Sequence, residues 1–130
     1  MPPPDVYERA REVSGAVMLI MVSGPTSAES EEARAENLRA LNKAAAEVLK
    51  KGHTPLVGVN AAGPVVEQAD AADRYETTML ICEALAERCD AVLLVGESGG
   101  ACREVAVFQS RGRPVYRALE EIPATAGDAA

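Results

Sequence analysis

Ala16-Val17-Met18-Leu19-Ile20-Met21-Val22 is an unbroken apolar run that follows Gly15 and stops at Ser23-Gly24-Pro25-Thr26-Ser27. A strand with one wet face alternates polar and apolar side chains. A run with no polar position suits a strand buried on both faces, as in a parallel sheet. Asp90 to Gly96 repeats the pattern and ends in Glu97-Ser98-Gly99-Gly100. These two strands, each emptying into a glycine-bearing loop, set the fold class.

Outward from the first strand, Glu31 to Lys51 reads as a long amphipathic helix. Leu38, Leu41, Ala45, Val48 and Leu49 form its apolar stripe, and Gly52 is its stop. Thr54 to Val59 reads as the second strand, and Asn60 to Gln68, with Gly63-Pro64, as loop. Asp70 to Cys89 is a further helix with Met79, Ile81, Cys82, Leu85 and Ala86 facing inward. Gly99 to Arg111 is another, stopped by Gly112, and Pro114 to Ala118 is the fourth strand. Val6 to Glu12 reads as a short leading helix, and the small polar tail from Pro123 to Ala130 as frayed. Strand and helix alternate, which predicts a single Rossmann-like, three-layer α/β domain over 1–130. The expected sheet is parallel, of four strands (a fifth is allowed) in the order 2-1-3-4, with helices on both faces.

The totals narrow the function classes. Apolar residues are 48% and charged residues 25%, the range of a globular chain that builds its own core. A net charge of −7 disfavours a polyanion-binding surface, so nucleic acid is not an expected partner. No apolar run is long enough to span a bilayer, and Met1 to Asp5 lacks the basic-then-apolar order of a signal peptide. The expected setting is the cytoplasm, with no membrane partner. The three cysteines, Cys82, Cys89 and Cys102, lack metal-ligand spacing and read as small buried thiols. Cys82 and Cys89, seven apart, would share one helix face.

In a doubly wound sheet the ligand sits beyond the carboxyl ends of the strands, where the winding reverses. Order 2-1-3-4 puts that point between the first and third strands, so Gly24 to Ala28 and Glu97 to Gly100 should lie side by side. Gly24, Thr26 and Ser27 offer a bare backbone and two hydroxyls. Gly99 and Gly100 let a ligand approach a helix N-terminus, and Ser98 suits its N-cap. Glu104 lies in the second turn of that helix, beside the space left by Gly100 and Ala101. A carboxylate there can attack an anomeric carbon, whose developing charge is positive; the alternative is a solvated surface glutamate. There is no GxGxxG after the first strand and no GxxxxGK[ST], so neither hydride transfer nor ATP hydrolysis is supported. His53 and Asp90 lie at the opposite end of the sheet and read as structural.

In order and spacing these pieces resemble the nucleoside 2-deoxyribosyltransferase-like superfamily, nucleotide N-glycosidases included. The likeness runs from about Val17 to Tyr116. It is carried by Ser-Gly-Pro (23–25), Gly-His-Thr-Pro (52–55), Cys-Asp-Ala-Val (89–92), Ser98-Gly99-Gly100-Ala101-Cys102-Arg103-Glu104-Val105-Ala106 and Gly112-Arg113-Pro114-Val115. The resemblance implies that Glu104 is the nucleophile attacking C1′ of a nucleoside or nucleoside 5′-monophosphate. Gly24, Thr26, Ser27, Ser98, Gly99 and Gly100 would line the sugar or phosphate site. It implies a homodimer or larger homo-oligomer; no metal and no organic cofactor is indicated by the sequence. Two positions depart from the family pattern. Thr26 stands where many members have Tyr. An Asp that protonates the leaving base is missing from the stretch Ile81-Cys82-Glu83, which leaves Glu83 as the candidate acid. The expectation is therefore an N-glycosidic hydrolase or (deoxy)ribosyltransferase, with a non-catalytic nucleotide or sugar-phosphate binding module as the alternative.

Overall fold

The computed structural model describes residues 16–125. The expected leading helix and the last five residues of the tail lie outside the described residues. Four strands, β1 (Leu19–Ser23), β2 (Thr54–Leu56), β3 (Ala91–Leu94) and β4 (Val115–Tyr116), form one parallel sheet in the order β2-β1-β3-β4. The doubly wound topology expected from the alternation is thus present. The helices are α1 (Glu31–Lys50), α2 (Gly58–Ala69), α3 (Arg74–Ala86) and α4 (Gly99–Ser110), and a short 3-10 turn spans Leu119–Glu121.

The period-two geometry of a strand sends alternate side chains to two cores. Ile20, Val22, Ala91 and Leu93 pack with Leu41, Ala45 and Val48 of α1, while Met21, Val92 and Leu94 pack with Ala101, Val105 and Phe108 of α4. This explains the unbroken apolar runs, because neither face of the central strands meets water. Helix α1 begins where Ser30 accepts a hydrogen bond from the Ala33 N–H and stops at Gly52, whose φ of +94° is open to glycine. Its stripe is narrower than the spacing suggested. Leu49, one residue past buried Val48, turns about 100° away and is 62% exposed.

The region after β2 departs most from expectation. Asn60 to Gln68 is not loop but most of α2, and β2 ends at Leu56. Gly58, Ala62 and Val66 are buried at four-residue spacing, a stripe of small side chains that the Gly63-Pro64 pair obscures. Pro64 removes one backbone hydrogen bond, and burial of Val66 together with packing of Ala62 against Met79 and Cys82 of α3 outweighs that loss. The next helix is correspondingly shorter. Asp70 ends α2 in a left-handed conformation, and Asp73 opens α3 by accepting from the Glu76 N–H. Cys89 therefore lies beyond the helix that carries Cys82, and the two share no helix face. Both are buried but Cys102 is exposed, so small buried thiols describes only two of the three.

At the amino-terminal edge, His53 Nδ1 accepts from the Met18 N–H at 3.1 Å, and Nε2 donates to the Pro123 carbonyl at 2.6 Å. An imidazole protonated on Nε2 satisfies both bonds. Asp90 Oδ2 accepts from the Leu19 N–H at 2.7 Å. Both residues tie chain segments together there, far from the loops at the carboxyl ends. Ile122 and Thr125 are buried, so the chain stays packed to the last described residue, Thr125.

Candidate active site

Ser23 and Leu94 are register partners at the carboxyl ends of β1 and β3, and the Ser23 carbonyl accepts from the Val95 N–H at 2.7 Å. That pairing sets the two glycine-bearing loops side by side. Gly24 is buried where a Cβ would come within 2.9 Å of Leu41 Cδ2, which lets the chain turn tightly off β1. Ser98 is the N-cap of α4 and accepts from the Ala101 N–H at 3.1 Å. The N–H groups of Gly99 and Gly100 belong to the first turn, where helices leave donors for a ligand.

The loops enclose a cavity of about 240 Å³ lined by Pro25, Thr26, Ser27, Tyr75, Ser98, Gly99 and Gly100. It is smaller than the clefts of roughly 300–1,000 Å³ that hold drug-sized ligands, so it suits a small molecule. Glu104 is not in that lining. Its carboxyl lies behind the loops in a recess of about 10 Å³, shared with Val22, Ser23, Gly24, Thr26, Leu41, Val57, Gly58 and Val59. That space holds about one water at most. Thr26 lines both spaces and forms the partition between them.

Glu104 is 8% exposed, so it is no solvated surface glutamate. Ser23 Oγ donates to Glu104 Oε1 at 3.0 Å. Burial pushes the carboxyl up to about 7; the Ser23 hydrogen bond opposes the rise and the Glu83 charge adds to it. A Cβ on Gly58 would lie 2.9 Å from Cys82 Sγ and 3.5 Å from Glu104 Oε2, so the bare start of α2 closes one side of the recess. Burial also holds the Cys82 thiol high, at about 12, which leaves it a packing group and not a nucleophile.

Glu83 lines neither space. Its Oε1 accepts from Arg103 Nε at 2.8 Å, and the same guanidinium grips both Glu76 oxygens, at 2.8 and 3.0 Å. It is engaged in pinning α4 to α3. The structure thus brings together Thr26, Ser27, Ser98, Gly99 and Gly100 at the cavity, places Gly24 with Glu104 at the adjoining recess, and leaves Glu83 outside. Three contributors were not singled out by spacing: Ser23, Gly58 and Tyr75. A tyrosine two residues after the Asp73 N-cap was the signal for the last, since a helix start can present a side chain at a loop cluster.

Among the described residues no group of three or more His, Cys, Asp or Glu could hold a metal ion, and no helix is long and apolar enough to cross a membrane. No protein-family model matches the chain, and no curated protein matches it.

Proposed function

We propose that the chain cleaves or transfers at the N-glycosidic bond of a nucleoside or nucleoside 5′-monophosphate, with Glu104 as nucleophile. One observation carries the reading: a buried carboxyl, aimed by the Ser23 hydroxyl, stands behind a small hydroxyl- and glycine-lined cavity at the reversal point of the sheet. In its ionised form Glu104 attacks C1′; the C1′–N bond breaks with its electron pair going to the base, and a glycosyl ester forms. Water or a second base then attacks C1′ and returns the carboxylate. For contact with C1′, the Gly24 to Ser27 loop draws back at Thr26 and merges the recess with the larger cavity. The departing base takes its proton from solvent, because Glu83 is held by Arg103. General acid catalysis typically contributes 10²–10⁴-fold, so slow turnover is expected without it. A homo-oligomer accompanies this reading through the resemblance, and a cytoplasmic setting remains the expectation from the sequence.

The Thr26 partition favours a second reading, a module that binds a nucleotide or sugar phosphate without chemistry. Incubation with ribo- and deoxyribonucleosides and their 5′-monophosphates, followed by chromatography for free base, separates the two. Base released by the wild type and not by Glu104→Gln supports the enzyme. Saturable binding with no base, with or without an acceptor base, supports the module.

A further inference from the structure

We propose that Tyr75 is the platform on which the substrate's base stacks, and so the residue that makes the cavity select base-bearing ligands over sugar phosphates alone. This rests on the reading of the cavity as a nucleoside or nucleotide site. Among the described residues lining it, Tyr75 is the sole aromatic side chain, and it stays 50% exposed. Packing does not account for it: Tyr116, by contrast, is packed against the core beneath α1. The phenol hydroxyl reaches the first turn of α4, with Oη 3.9 Å from a Cβ position at Gly99 and 3.7 Å from one at Gly100. No side chain projects from those two glycines, which line the cavity beside the ring. Hydroxyls of Thr26, Ser27 and Ser98 line the rest, a division suited to a ligand with one flat apolar part and one hydroxylated part.

The turn that carries the ring is also braced. Asp73 caps the turn that carries it, and the neighbouring Glu76 is gripped by both terminal nitrogens of Arg103 from α4. Arg103 thus ties the first turn of α3 to α4. A pre-positioned ring loses little freedom when a base lands on it. Every nucleobase offers a π-face, so such a platform recognises the class and not one base.

The test is calorimetric titration of Glu104→Gln, which prevents turnover, with adenosine and cytidine 5′-monophosphates and with ribose 5-phosphate. Circular dichroism confirms folding of each variant. Both nucleotides should bind at least ten-fold tighter than ribose 5-phosphate. Adding Tyr75→Ala should erase that margin, roughly a ten-fold loss or more for the nucleotides, and leave ribose 5-phosphate unchanged. Tyr75→Phe should keep it. Nucleotide affinity unaltered by Tyr75→Ala in a folded protein overturns the platform and leaves the N-glycosidic reading standing. Failure of both nucleotides to bind the Tyr75-containing protein overturns the platform together with the reading it rests on.

Discussion

Glu104 concentrates the conflict between stability and chemistry in one side chain. Its carboxyl titrates near 7 when folded, against an ordinary value of 4.5, because burial disfavours the charge. The folded state therefore holds this proton more tightly than the unfolded chain does. Its contribution to stability is complete below about 4.5, declines as pH rises, and is lost above about 7. Shifts of this size correspond to on the order of 3 kcal/mol. Gln keeps an oxygen for Ser23 and carries no charge, so Glu104→Gln should be the more stable protein at pH 8, with the gap closing towards pH 5. Urea unfolding of both proteins across that range measures it. The catalytic dependence runs the other way, since the nucleophile must be ionised: glycosidic turnover should rise with pH through about 7. A rate that falls over the same interval would assign Glu104 to proton donation instead.

At the scale of elements, α2 shows burial overruling local preference. Gly63 and Pro64 are poor helix residues, yet Ala62 packs on Met79 and Cys82 of α3, Val66 is buried, and the helix persists through them. Pro64 lies in the interior, where proline forfeits a hydrogen bond and crowds the preceding turn, at a cost of about 3 kcal/mol relative to alanine in an isolated helix. It is exposed enough to be replaced without opening the core. Pro64→Ala should stabilise the protein by about 1 kcal/mol or more, read as a raised urea midpoint at unchanged m-value. The helix was hidden in the sequence because its periodic residues are small: glycine and alanine at four-residue spacing carry little hydrophobic contrast. By comparison α1 was legible almost to the residue, since a long stripe and Gly52 mark its body and end.

For the whole molecule, packing under α4 and between α2 and α3 fixes which thiols solvent can reach. Cys82 and Cys89 are buried and both are held up at about 12, whereas Cys102 lies exposed on α4. A chromogenic disulfide reagent should titrate one thiol promptly in the native protein and three after denaturation, with Cys102→Ser removing the fast one. Two fast thiols would mean that one of the cores opens on the assay timescale. The fold class, the strand order and the meeting of the Gly24 and Gly99 loops were legible in the chain. They depend on features that one sequence displays locally: apolar runs too continuous for a half-wet strand, glycine stops, and strict alternation of strand with helix. Which side chains complete the site was decided by tertiary structure. Tyr75 and Gly58 stand far along the chain from the loops they join, and no periodicity relates them. The layering of Glu104 behind Thr26, and the capture of Glu83 by Arg103, likewise exist only once α3 and α4 pack. Spacing along the chain determines which face of its own helix a residue occupies. What that face meets, and how far burial shifts a carboxyl there, is set by neighbours that the fold brings from elsewhere.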